Sequence, residues 1–155
     1  MKRLIVCACS ILILSGCAPR ESTGATTTIH LVPPEGQQIA VEVEIAADSA
    51  SQAKGLMGRT ALAPDTGMLF LFRQEQMLGF WMKDTLIALD ILFFRESGEM
   101  VSFATMSPCP PATQCPVTLS HYPSKFALEV PAGFVQRHGI TGAWKLAIQP
   151  WMNGS

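Results

Sequence analysis

Several things are missing from this 155-residue chain, and each absence narrows the reading. No apolar run reaches the roughly 20 residues that a membrane-spanning helix needs; the run over residues 4–14 is far too short. Beyond Lys2-Arg3 no lysines and arginines gather, which argues against nucleic acid or anionic lipid as a partner. There is no C-x-x-C redox motif and no G-x-S-x-G nucleophile setting around Ser124, His121 or any other serine. The six methionines from Met57 to Met106 are spread among leucine and phenylalanine rather than set as M-x-M or M-x-x-M, so they read as core filler. Repeats are absent, and low-complexity sequence is confined to a short segment near the N-terminus.

What is present begins with an address. Lys2 and Arg3, the apolar run and then Leu14-Ser15-Gly16-Cys17 make a secretory signal that ends in a cysteine. This resembles the lipobox read by the bacterial lipoprotein signal peptidase. The expected product starts at a lipidated Cys17, and each buried acyl methylene contributes about 0.8 kcal/mol to membrane attachment. Residues 1–16 are then the signal peptide, 17–25 a lipidated cysteine and flexible tether, 26–150 a single β domain, and 151–155 a C-terminal tail. Ala18 in place of Asp favours the outer membrane, facing the periplasm, in a host that has one. Loss of Lys2 and Arg3 leaves 9 basic against 12 acidic residues, a formal charge of about −3.

Five cysteines resolve in the same frame. Cys7 and Cys9 leave with the signal and Cys17 takes lipid, so Cys109 and Cys115 remain as an even pair in an exported protein. An oxidising compartment favours a disulfide between them. The prolines around them exclude a helix, and closing so short a loop contributes on the order of 2 kcal/mol.

The rest of the chain reads as short strands. Residues 26–32 are rich in β-branched side chains and stop at Pro33-Pro34. Residues 39–45 alternate apolar and polar with period two, the signature of a strand with one wet face. Residues 67–72, 77–82, 89–94, 100–106, 126–130 and 144–148 supply further strands, and the unbroken apolar run at 89–94 suits one covered on both faces. Ser49 at N-cap and Gln52 at N3 would open a short helix ending by Gly55. Gly133 to His138 suits a helical turn, with His138 capping its end. About eight strands and one or two short helices imply an all-β domain, a single jelly-roll-like sandwich or partly closed barrel.

Three stretches recur in a known order. Lys54-Gly55-Leu56-Met57-Gly58-Arg59 precedes Gly67-Met68-Leu69-Phe70; Phe80-Trp81-Met82-Lys83-Asp84-Thr85 leads to Asp90-Ile91-Leu92-Phe93; Leu128-Glu129-Val130-Pro131-Ala132-Gly133 follows the cysteines. Together they resemble the small exported proteins of the domain of unknown function 192 family. The resemblance implies a jelly-roll type of β-sandwich and supplies no activity. Asp84 stands where that family usually has Asn, Ala88 where it has Pro, and Ala143 where it has Asp; Asp84 would alter the hydrogen-bonding capacity of a ligand contact.

The polar residues among these stretches are the candidate site. Asp90 and Glu129 sit within apolar strand sequence, where a carboxylate is costly unless paired or hydrogen-bonded. Lys83, Arg59 and Lys125 are the cations available to them. One reading is structural, a salt bridge or a backbone cap. The other is a ligand cleft in which Trp81 stacks against the ligand and Arg59, Lys83, Asp84, Asp90 and Glu129 make polar contacts. The favoured expectation is a lipid-anchored envelope protein whose domain binds a small molecule, glycan or envelope partner without catalysis, cofactor or metal. Two alternatives stand beside it: a hydrolase using paired carboxylates such as Asp90 and Glu129, and a periplasmic copper-binding protein using methionine with His30, His121 and His138.

Overall fold

The computed structural model describes residues 26–110 and 114–153, and nine strands run through them. Seven form one sheet: β1 (Thr26–Val32), β2 (Ile39–Ala46), β3 (Thr66–Gln76), β5 (Leu89–Phe94), β6 (Met100–Met106), β8 (Ser124–Pro131) and β9 (Lys145–Leu146), in the order β6-β5-β8-β3-β2-β1-β9. The other two, β4 (Gly79–Trp81) and β7 (Val117–Leu119), pair as a separate ribbon. Every pairing is antiparallel except β2 with β3, which are joined by a crossover through helix α1 (Ser49–Lys54).

The sheet curls into a half-barrel because one face collects apolar side chains from all seven strands. Ile29, Leu31, Val41, Val43, Leu69, Leu92, Met100, Leu128 and Leu146 belong to one cluster. Phe134 of helix α2 (Phe134–Arg137), together with Ile140, Trp144 and Met152, fills the hollow of the curl. The opposite face is apolar only where β3, β5 and β8 run through the middle: Met68, Phe70, Ile91, Phe93 and Ala127 pack under Leu56, Leu78, Met82 and Phe80. The ribbon and the residues after α1 therefore cover the centre of the sheet's outer face. β5 is buried at every position, Asp90 included, as a strand that is apolar at its other five positions and covered on both faces requires.

Of the two architectures expected, the partly closed barrel describes the curled sheet, and the all-β class holds. Some local expectations are corrected. The cap of α1 is Asp48, not Ser49: its carboxylate accepts from the Ala50 and Ser51 amides, and Ser51 completes the capping box at N3. An anionic cap suits the positive end of the helix, and it frees Gln52 to donate to the Leu71 carbonyl of β3. Gly55 ends the helix as read. The strand expected over 144–148 is only Lys145–Leu146, and β7 is an addition. Met152 packs in the core, so the packed domain runs past residue 150. The signal peptide, Cys17 and the tether lie outside the described residues.

Candidate functional site

Period-two alternation along β4 places the aromatic pair of Phe80-Trp81 on opposite sides. Phe80 points inward, edge-on to Phe70 at 4.9 Å and against Phe93 at 5.8 Å between ring centres. Trp81 points outward and remains 51% exposed. The chain then turns at residues 82–85, with the Thr85 amide donating to the Met82 carbonyl at 3.2 Å. Asp84 takes up a left-handed conformation in this turn, φ 53°. Its carbonyl accepts from the Gly58 amide at 2.8 Å, which fastens the Lys54-to-Arg59 segment to the Trp81 turn. Gly58 itself has φ 76°, so two adjoining turns rely on the left-handed region.

Around this turn lies an open cleft of about 800 Å³. Trp81, Lys83, Asp84, Thr85 and Leu86 form one wall; Cys109, Cys115 and Val117 belong to the other. Cys109 and Cys115 are disulfide-bonded, as their arithmetic suggests. The register of the ribbon sets Trp81 directly opposite Val117, and both are exposed on its outer face. The Lys83 ammonium lies 5.6 Å from the centre of the indole, a cation–π contact that holds the side chain beside the ring. Ser120 anchors the ribbon to the body: its hydroxyl accepts from the Leu78 amide, and its carbonyl accepts from the Ser102 hydroxyl of β6 at 2.5 Å.

Behind the cleft is a small recess of about 30 Å³, lined by Gln52, Lys54, Leu56, Phe70, Phe80 and, at its floor, Glu129. Trp81 and Thr85 line both spaces, so the recess adjoins the cleft. Glu129 sits on β8 opposite Met68 of β3 and Ile91 of β5 and is only 4% exposed. Among the described residues its carboxyl makes no hydrogen bond or ion pair, and its oxygens are not fully sealed in packing. Burial alone pushes its pKa up to about 8 from an ordinary 4.5, so it is uncharged at neutral pH.

The other candidates fall elsewhere. Asp90 is 1% exposed, but its side chain points into the hollow of the half-barrel. It accepts from the Thr105 hydroxyl at 2.7 Å and the Val135 amide at 3.0 Å, and so caps α2. Of the readings open for a carboxylate in β5, the backbone cap is the one observed. Since Asp90 faces Val130 and Ile91 faces Glu129, Asp90 and Glu129 lie on opposite sides of the sheet. That separation removes them as paired carboxylates acting on one bond. None of the three expected cations meets either of them: Arg59 pairs with Glu44 at 2.5 Å in a separate depression, Lys125 pairs with Glu96, and Lys83 lies over Trp81.

His30 lies on β1, His121 in the bend between β7 and β8, and His138 at the end of α2. His138 ends α2, as read, and shares a 2.7 Å hydrogen bond with Asp65, whose carboxyl this contact holds below its ordinary range. Among the described residues no group of three His, Cys, Asp or Glu side chains is placed to hold a metal. Thr85, Val117 and Gln52 are site residues that the sequence reading did not single out. Thr85 stood in the polar connection already marked, whereas Val117 and Gln52 reach the site only through tertiary pairing.

Comparison with known proteins agrees over most of the chain. The model of a family described as DUF192, Uncharacterized ACR, matches residues 31–148. A solved structure from Sinorhizobium meliloti 1021, described provisionally as a transcription regulator, is 32% identical with a TM-score of 0.74, covering 83% of this chain and 97% of that one. A protein of unknown function from Novosphingobium aromaticivorans DSM 12444 is 31% identical with a TM-score of 0.73, covering 82% of this chain and 88% of that one. No curated protein matches.

Proposed function

The chain belongs to the DUF192 family of uncharacterized proteins, and on that footing we propose that its domain is a non-catalytic binding module for a small, partly apolar ligand such as a sugar. The ligand occupies the cleft between the Trp81 turn and the Cys109–Cys115 disulfide. One observation carries this reading: a tryptophan half open to solvent on a rigid ribbon, at the wall of a cleft large enough for one or two sugar rings. An indole offers a flat apolar platform for the apolar face of a pyranose, while Lys83, Asp84 and Thr85 supply hydrogen bonds at its edge. Arg59 and Asp90 are outside this site, and Glu129 reaches it from behind. The acidic balance of the chain speaks against nucleic acid as the partner. Lipid on Cys17 would hold the module at the cell envelope, where glycans are abundant.

Thermal stabilisation tests the reading. Titration of a panel of neutral mono- and oligosaccharides should raise the melting temperature of the mature protein with at least one of them. Trp81→Ala should abolish that rise and leave the fold intact, because the side chain is half exposed and Phe80 carries the core contacts of this strand. A Trp81→Ala protein that responds as the wild type does, or a wild type that responds to no sugar, sinks the proposal.

A further inference from the structure

Glu129 is an incomplete site. A carboxyl flanked on both sides by strands, walled by Phe70, Phe80 and Leu56 and without a partner among the described residues, is the arrangement that folding alone disfavours. It is not enclosed in solid packing: it faces a recess of about 30 Å³, room for one or two heavy atoms, which Trp81 and Thr85 join to the cleft. We infer that this recess is a subsite for the carbonyl oxygen of an amide carried by the ligand, with the protonated Glu129 carboxyl as the donor. The inference rests on the Trp81 reading above and narrows it to N-acylated sugars and similar amides.

The chemistry follows from what surrounds the group. An uncharged carboxyl has one O–H to give, and no acceptor among the described residues takes it. A cation is a poor fit, since Lys54 is the one other ionisable residue lining the recess. Nothing charged faces Glu129 from β3, β4 or β5, where its neighbours are Met68, Phe70, Phe80, Trp81 and Ile91. Lys83 and Asp84 stand on the cleft side of Trp81. With burial holding the acid protonated up to about pH 8, the donor is present at neutral pH and lost above it. The ionised carboxylate would repel a carbonyl oxygen.

Four probes test this on the intact mature protein: N-acetylglucosamine, glucose, acetamide and methylammonium. Binding is read by melting temperature and by the carbon-13 signal of the Glu129 carboxyl. Wild type should prefer N-acetylglucosamine to glucose by about tenfold near pH 6.5 and lose that preference by pH 9. Glu129→Gln, whose amide still donates, should keep the preference at both pH values. Glu129→Leu should lose it at either pH; if this variant fails to fold, the pH behaviour of Glu129→Gln carries the test. A pH-independent preference in wild type, or one retained by Glu129→Leu, overturns the inference. So does methylammonium binding that tightens as pH rises, since that marks a cation site. Acetamide should move the Glu129 signal in Trp81→Ala as well, because it needs no stacking platform. A response to acetamide without any response to sugars overturns the platform reading and leaves the subsite standing; no response to acetamide or N-acetylglucosamine overturns the subsite.

Discussion

At position 129 an acid is held in a place where it cannot ionise cheaply, and that has consequences for stability as well as binding. Its folded pKa of about 8 lies above the ordinary 4.5, so between those values the folded protein keeps a proton that the unfolded chain has released. Stability from this group is therefore full below about pH 4.5, falls as pH rises to about 8, and levels off above it; the total loss is at most about 5 kcal/mol. Denaturant unfolding from pH 5 to 9 should show that decline in wild type. Glu129→Gln should flatten it and be the more stable protein at pH 9, and parallel curves for the two would show that the site is better solvated than its burial implies. Asp84 makes the opposite kind of case, a polar residue explained by its backbone. At φ 53° it occupies the region that Asn and Asp tolerate best among non-glycine residues. The Asn usual in the family at this place needs no ligand to account for it. Asp84→Asn should change unfolding free energy by less than about 0.5 kcal/mol, whereas Asp84→Val should cost about 1–2 kcal/mol.

Between elements, the decisive fact is register. Residues 39–45 and 89–94 announce their strands through local pattern alone, alternation in one and an apolar run interrupted only by Asp90 in the other. What they cannot announce is that β5 lies beside β8 with Ile91 facing Glu129, a pairing set by residues almost forty positions apart. Slipping that pairing by one residue would bring Asp90 and Glu129 to one face and make them a plausible acid pair. The candidate site was legible to the same degree: Trp81, Lys83 and Asp84 are neighbours in the chain and share a cleft, while Arg59 and Asp90 are drawn off by Glu44 and by α2. Asp90 belongs to the fold, tying α2 and β6 to β5 from inside the hollow. Asp90→Ala should leave the Val135 amide and Thr105 hydroxyl without that partner and destabilise the domain by about 3 kcal/mol. Asp90→Asn, which keeps a carbonyl oxygen, should cost less. Accelerated hydrogen exchange at the Val135 amide would mark the loss of the cap, and unchanged protection there would argue against it.

Across the whole molecule, the paired cysteines and the N-terminal segment bear on the same question of where the protein works. A disulfide between Cys109 and Cys115 is stable in an oxidising compartment and is rare in reducing ones. Both cysteines line the cleft, and the chain runs from Cys115 directly into β7, which places Val117 opposite Trp81. A domain built this way suits export, and residues 1–16 have the composition of an export signal. We propose that cleavage before Cys17 removes Cys7 and Cys9; with the downstream pair bonded to each other, that would leave Cys17 no thiol to pair with, as a lipid acceptor requires. A single acyl chain gives only marginal membrane attachment, so stable anchoring implies more than one chain on that residue. Mass spectrometry of the protein from membranes of a bacterial host should therefore find an N-terminal peptide beginning at Cys17 and carrying the mass of several acyl chains. Cys17→Ala should abolish that species and leave the full-length chain with its leader uncut. An unmodified N-terminus at Cys17, or at Ala18 or beyond, would show a secreted domain with no anchor, free to meet its ligand away from the membrane.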